Sequence, residues 1–267
     1  MKTQKRSEEN SRSPASTTAR NRLFEKLIAV VAALAVWQVA AMLVDQSIIL
    51  VTPVRVLEKL FILVQTADFW STVLYSLIRM SLGFFAALIA GVLLAFFASR
   101  FRPIEILLWP YMAAVKSTPV ASFVILCLLW LGAARLSVFI SFLMVLPVIY
   151  TNVLQGIKST DKKLLEMAFV FRMPIRRRLF FIYLPGVKNY FLSAAGVAIG
   201  FAWKAGIAAE VIGIPKGSIG ERLYEAKIYL NSAELFAWTL VIVVISVVFE
   251  KLFLTAVKRV YERMEKV

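Results

Sequence analysis

Histidine is absent from this 267-residue chain, and cysteine occurs once, as Cys127 within an apolar run. Without imidazoles and with a single thiol, zinc, copper and haem have no ordinary ligand set, so no metal site is expected. A lone cysteine also excludes an internal disulfide. Acids are scarce: 16 Asp and Glu stand against 31 Lys and Arg, giving a formal net charge of +15. Those cations sit in the tails and in alternate loops, not in a basic stripe interleaved with aromatics, and no nucleic-acid partner is expected. No Gly-x-x-x-x-Gly-Lys-Ser/Thr phosphate loop occurs, so the chain is not itself expected to hydrolyse ATP. Its ionisable groups inside apolar runs are cations and one Glu, a poor set for an embedded hydrolase. The expected class is therefore not an enzyme, with no cofactor bound by this chain.

Apolar residues, by contrast, are abundant. They make up 60% of the chain, charged residues only 18%, and the mean hydropathy is +0.78. These values predict an all-α integral membrane protein. Residues 1–22 are rich in Ser, Thr, Arg and Lys and read as a disordered basic tail, leaving 23–267 as one transmembrane domain. The first apolar run, 27–44, is about one membrane crossing long. A long polar stretch precedes it and no small-x-small site follows it, so it reads as an uncleaved span, not a signal peptide. Further spans are predicted at 72–98, 104–131, 136–154, 187–212 and 235–257. With Lys188 and Lys251, at span ends, counted with the polar segments they adjoin, six crossings place 22 of the 31 Lys and Arg on one side, six on the other and three inside spans. The positive-inside rule then puts both termini in the cytoplasm, and the expected location is a plasma (inner) membrane.

Between the fourth and fifth spans lies a polar, basic stretch of about thirty residues, 157–185, too long for a simple connection. Asp161 suits a helix N-terminus, Leu164, Leu165, Ala168 and Phe171 recur at helical spacing, and Met173-Pro174 breaks the run. Ile175, Leu179 and Ile182 can then share one face of a second short helix beside Arg176, Arg177 and Arg178. The prediction is a cytoplasmic helix–turn–helix, with Pro185 starting the next span. Anionic lipid headgroups could attract the arginines, yet they leave Glu166 and the defined turn unexplained.

At these residues the chain resembles the membrane subunits of ABC importers that work with a substrate-binding protein. Their cytoplasmic motif runs Glu-Ala-Ala, three residues, Gly, nine residues, Ile-x-Leu-Pro. Glu166, Met167 and Ala168 match its start, and Ile182, Leu184 and Pro185 match its end. Met167 replaces Ala, and Arg172 stands where the motif has Gly, which puts the local turn geometry in question. The resemblance covers nearly all of the chain after the tail and is closest to the nitrate/sulfonate/taurine branch. Pro53-Val54-Arg55-Val56, Ser76-Leu77-Ile78-Arg79 with Gly83-Phe84, Lys116 to Pro119, Trp130-Leu131-Gly132, Ala209-Glu210 and Gly217-Ser218-Ile219-Gly220 carry it.

The resemblance implies a type I ABC importer permease fold and a role in forming the translocation pathway. It implies as partners a cytosolic ABC ATPase dimer that binds the ATP and Mg, an extracytoplasmic binding protein and a second permease copy, most simply a homodimer. Membrane lipid surrounds them. Glu166, Met167, Ala168, Arg172, Ile182, Leu184 and Pro185 are then the ATPase-coupling residues. The implied substrate is a small anion such as nitrate, a sulfonate or taurine; a thiamine-pyrimidine-type organic is the alternative within the family. An ion-coupled secondary transporter is the alternative outside it, but that reading leaves the Glu166 segment without a task.

Ionisable residues inside spans are the candidates for contact with cargo. Lys116 and Pro119 lie at a predicted helix break; Lys204, Arg79 and Glu210 complete the set. Each cation could line an anion path, or instead satisfy backbone, pair with an acid or reach an interface. Two further features have two readings. The small residues Ala194, Ala198, Ala202 and Gly206 could pack within the bundle or between subunits. The 217–220 turn could border a gate or be plainly exposed.

Overall fold

The computed structural model describes residues 14–44, 46 and 48–264 of the chain, and every regular element among them is helical. Helix α1 (Pro14–Val44) begins inside the stretch expected as a tail; residues 1–13 lie outside the described residues. After it come α2 (Pro53–Val64), α3 (Ala67–Arg100), α4 (Arg102–Ser117), α5 (Val120–Leu131) and α6 (Ala133–Lys158). A short α7 (Lys162–Val170) and a single turn α8 (Ile175–Arg178) precede α9 (Leu184–Gly213). The chain closes with α10 (Ile219–Ile228) and α11 (Ser232–Met264).

Apolar length and local caps account for these boundaries. Thr66 caps α3 by accepting from the Phe69 amide at 3.3 Å, and Asp68 lies in the first turn, where an acid favours the helix dipole. Pro103 sits in the first turn of α4, where its missing N–H costs nothing. Pro119 ends the hydrogen-bonded ladder of α4, and α5 leaves at 108° to it. The predicted third span, 104–131, is thus not one straight helix but two.

Packing decides whether that bent pair crosses the membrane. On α3, Arg79 donates to the Ala134 carbonyl, Gly83 faces Val138 and Ser141, and Gly91 faces Ile149 and Tyr150. The contacts advance together along both chains, so α3 and α6 run parallel. The end of α3 and the start of α6 therefore lie at opposite membrane faces, and α4 with α5 must traverse the space between. Helix α9 runs against α6: Gly156 meets Tyr190, and Ser141 donates to the Ala202 carbonyl at 2.9 Å. Helix α11 runs with α3, stacking Trp238 on Phe69 (5.1 Å) and setting Phe253 edge-on to Phe84 (5.1 Å). Near the end of α1, Trp37 meets Phe236 at the start of α11. The result is six crossings with both described ends at one face.

The core is built where α3, α6 and α9 meet. Ala194, Ala198 and Ala202 are each at most 2% exposed, and a Cβ on Gly206 would lie 1.9 Å from the Met80 sulfur and 2.4 Å from Ser141 Oγ. The small-residue stripe of α9 is therefore consumed inside the chain. Close approach of backbones at such positions is how membrane helices gain contact without a hydrophobic driving force.

An outer layer joins the ends of these helices and was not foreseen from the sequence. Helices α2 and α10 lie at the face where α3 and α11 begin. Lys59 of α2 pairs with Glu234 of α11 at 3.0 Å, and Arg222 of α10 pairs with Asp68 of α3 at 2.6 Å.

Candidate functional site

The residues between α6 and α9 form a compact, exposed element at the opposite face from α2 and α10. Asp161 caps α7, its Oδ1 accepting from the Lys163 amide at 2.9 Å. Ala168 is fully buried and anchors the helix, while Glu166 and Met167 face outward. Leu164, Phe169, Val170, Phe171 and Ile175 are all exposed, an apolar cluster on a segment that is otherwise polar and basic. Exposed apolar groups so concentrated mark an interaction surface.

Arg172 closes α7 in the left-handed region, with φ +48°. The Met173 amide donates to the Ala168 carbonyl at 2.8 Å and the Arg172 amide to the Phe169 carbonyl at 3.0 Å. This pair of bonds is a Schellman cap, the turn that ordinarily carries glycine. Arginine here adopts the left-handed turn that glycine ordinarily serves. Strain of roughly 1 kcal/mol is the expected consequence. Arg172→Gly should accordingly stabilise the purified chain by about that amount, read as an upward shift in melting temperature. An unchanged or lower value would show that the arginine side chain has an offsetting contact.

The second half of the segment departs from expectation. Helix α8 is not a separate short helix ended by Pro185. It passes through a π-helical stretch, Leu179–Tyr183, directly into α9, so one helical run of 39 residues extends from Ile175 to Gly213. Ile182 is buried on this run, Leu184 is half-buried and Pro185 lies in the first turn of α9. At 1.5 Å per residue the run is about 58 Å long. A displacement applied at Ile175 is therefore carried through the membrane by continuous helix.

The candidate residues inside the spans divide into two pairs. Lys116, at the end of α4, reaches Thr151 Oγ1 of α6 at 3.2 Å and borders a cavity of about 410 Å³ shared with Glu105, Trp109, Gln155 and Lys158. It does not repair the broken backbone beside Pro119. Thr118 does that, through its amide and its hydroxyl, which both donate to the Ala114 carbonyl. Lys204 of α9 is likewise exposed. Because Ser141 meets Ala202, Lys204 lies near the level of residue 139 on α6. Lys116 contacts Thr151, twelve residues further along, roughly 18 Å deeper.

Arg79 and Glu210 are engaged internally. The Arg79 guanidinium lies 4.1 Å above the Tyr75 ring and donates to the Ala134 carbonyl, beside a cavity of about 740 Å³ between α3 and α6. Glu210 is fully buried. Its Oε2 accepts from Ser76 Oγ at 2.7 Å and from the Gly220 amide at 3.3 Å, and Ser76 Oγ accepts from the Ile219 amide at 3.0 Å. Glu210 Oε1 and the Ser137 hydroxyl are both buried without a completed hydrogen bond. One carboxylate thus ties α9 to α3 and to the first turn of α10, whose dipole favours the negative charge.

The 217–220 turn belongs to this knot. It is not a plain exposed turn: Ser218, Ile219 and Gly220 are buried. Ser218 caps α10 by accepting from the Glu221 amide at 3.0 Å, and Glu221 Oε2 accepts from the Gly217 amide at 2.5 Å. A Cβ on Gly220 would sit 2.3 Å from Glu210 Cβ. Sequence reasoning missed α10, although Ser218-x-x-Glu221 is a capping-box signal that marks its start. It also missed the ion pair between Glu105, near the start of α4, and Lys158, at the end of α6, 2.5 Å apart.

The profile of a family described as the binding-protein-dependent transport system inner membrane component matches residues 83–266. A Bacillus subtilis protein that carries the name aliphatic sulfonates transport permease SsuC is 26% identical over 215 residues, 79% of this chain and 77% of that one. The Escherichia coli taurine transport system permease TauC is 25% identical over 220 residues, 80% of each chain. The formylaminopyrimidine transport permease ThiX of Halalkalibacterium halodurans is 22% identical over 183 residues, 68% of this chain and 73% of that one. Among solved structures, an amino acid ABC transporter superposes with a TM-score of 0.50 at 19% identity, covering 70% of this chain and 91% of that one.

Proposed function

Because the chain belongs to the binding-protein-dependent transport system inner membrane components, we propose that it is the permease subunit of an ATP-driven importer for a small anion of the sulfonate or taurine kind. In this reading two copies enclose the pathway, and a cytosolic ATPase dimer docks on α7 and α8. A binding protein delivers cargo at the α2–α10 face. The observation that carries the proposal is the outward cluster around Glu166, joined through the 171–174 turn to the 39-residue run that crosses the membrane. An apolar helix face flanked by charge suits a groove on a partner, and a stiff helix turns closure of that partner into movement of the span.

Exposed lysines support the anion. Lys116 and Lys204 present cationic groups at two depths, and neither makes an ion pair among the described residues. A charge held at membrane depth without an acid partner suits a cargo of opposite sign. Lys116→Met should therefore lower uptake roughly tenfold or more, because hydrogen bonds to charged groups contribute about 1.5–3 kcal/mol, while ATPase association persists. Unchanged uptake kinetics would remove Lys116 from the path.

Purification in mild detergent from native membranes, with partners identified by mass spectrometry, tests the whole proposal. A co-purifying ATPase at about one copy per permease is the expected result, together with a binding protein whose ligand is a small anion. A chain recovered alone, under conditions that preserve a known importer, would overturn it in favour of an ion-coupled carrier. An aminopyrimidine ligand on the binding protein would keep the importer and replace the anion.

A further inference from the structure

We infer that the cleft between the end of α3 and the start of α4 is a binding site for the phosphate group of an anionic phospholipid. The cleft has a volume of about 610 Å³. Arg100, Arg102 and Lys158 supply three cations to its lining, against the single acid Glu105. They converge because of the fold. Phe101 is extended (φ −124°, ψ 102°) and links α3 to α4, so both flanking arginines reach the same hollow. Gly91 is level with Ile149 and Tyr150 on the parallel α6, which brings Lys158 to the level of Arg100.

Glu105 does not cancel this charge evenly. It pairs with Lys158 at 2.5 Å, which neutralises the acid and holds the lysine ammonium at the cleft wall. Arg100 and Arg102 make no ion pair among the described residues, so two guanidiniums remain for a ligand. Guanidinium forks suit phosphate oxygens, which accept two parallel hydrogen bonds.

The apolar wall identifies the source of the phosphate. Trp109 lies two turns into α4 from Arg102, about 10 Å closer to the membrane centre, and is 72% exposed. Ile106, on the same wall, is 63% exposed. A cationic mouth above an exposed indole and an aliphatic side chain matches a headgroup above its glycerol and acyl chains. The inference takes from the proposed function only the assignment of this face to the cytoplasmic leaflet, and its test does not measure transport.

Native mass spectrometry of the full-length chain, released from detergent with added phosphatidylglycerol or phosphatidylcholine of equal acyl length, provides that test. Phosphatidylglycerol should be retained and phosphatidylcholine should not. Each cation removed should weaken retention roughly fivefold, so Arg100→Gln with Arg102→Gln should lower it about 25-fold. The charge-conserving pair Arg100→Lys and Arg102→Lys should recover most of it, which separates lost charge from lost fold. The pair Arg176→Gln and Arg177→Gln, on the α7–α8 segment, should leave it unchanged. Equal retention of the two lipids, or full retention in the Arg100→Gln/Arg102→Gln chain, would overturn the site. Displacement of the lipid by millimolar inorganic phosphate would overturn the lipid in favour of a soluble anion.

Discussion

Glu166→Lys should insert and fold as the parent does, lose the ATPase subunit on purification and show no ATP-driven uptake. Glu166 is exposed on α7, outside the spans, so its replacement disturbs nothing buried. Exposed substitutions away from caps and cores usually change stability by no more than about 0.5 kcal/mol. The intrahelical cost is small as well: Lys162 and Lys163 precede position 166 by one turn, and a like-charge pair at that spacing costs about 0.2–0.5 kcal/mol. An interface is less forgiving. A cation placed where a partner presents one costs several kcal/mol, on the order of a hundredfold or more in affinity. Glu166→Gln, which removes the charge without reversing it, should fall between the two. Co-purification of the ATPase with the tagged variant reads the first effect, and uptake in reconstituted vesicles reads the second. Full uptake by a correctly inserted Glu166→Lys chain would remove Glu166 from the coupling role.

The breadth of that prediction rests on how well the α7–α8 segment could be anticipated from its residues. Asp161, the apolar spacing through Ala168 and the break at Met173-Pro174 are local signals: Asp161 caps α7, and α8 starts directly after Pro174. Apolar run length also located all six apolar segments, because length and hydropathy suffice to define a span. What escaped depends on contacts distant in sequence. The 108° bend at Pro119 was legible as a break but not as an angle, since neighbours on α6 and α9 set the direction of α5. Glu210 illustrates the same limit more sharply. From sequence it was one ionisable residue near the end of a span, a candidate for contact with cargo. Its partners Ser76 and Gly220 come from helices that only the fold brings together, and one of them is 134 residues away. The π-helical stretch at 179–183 has no sequence marker that a four-residue periodicity would reveal, so a continuous run read as two separate pieces.

Gly220→Ala should be the most damaging single methyl in the outer layer, with a loss of melting temperature on the order of 10 °C. Its added Cβ would lie 2.3 Å from Glu210 Cβ, 2.4 Å from the Glu210 carbonyl carbon and 2.6 Å from the Val211 amide nitrogen. Two of these atoms are backbone and none lies at the far end of a side chain, so no rotamer relieves the overlap. Helix α10 must lift from α9. Lifting separates the Gly220 amide from the Glu210 carboxylate and the Ile219 amide from Ser76, now 3.3 and 3.0 Å apart. Each buried polar group left unpaired costs about 1–3 kcal/mol, more when a charge is involved. Gly217→Ala provides the internal control. Gly217 has φ +76° and open space around its Cβ position, so an alanine there meets only backbone strain of roughly 1 kcal/mol. Gly217→Asn should recover part of even that, since asparagine tolerates the left-handed region. Function should divide along the same line. Glu210 and Ile175 lie on one helical run, so the knot near its C-terminal end and the α8 part of the proposed ATPase surface at its N-terminal end share one helix. Gly220→Ala should therefore retain the ATPase but blunt the stimulation of ATP hydrolysis by a loaded binding protein, whereas Gly217→Ala should preserve both. If the two alanine variants behave alike in melting and in stimulation, α10 is not fastened through Gly220, and the continuous helix is not the route between the two faces.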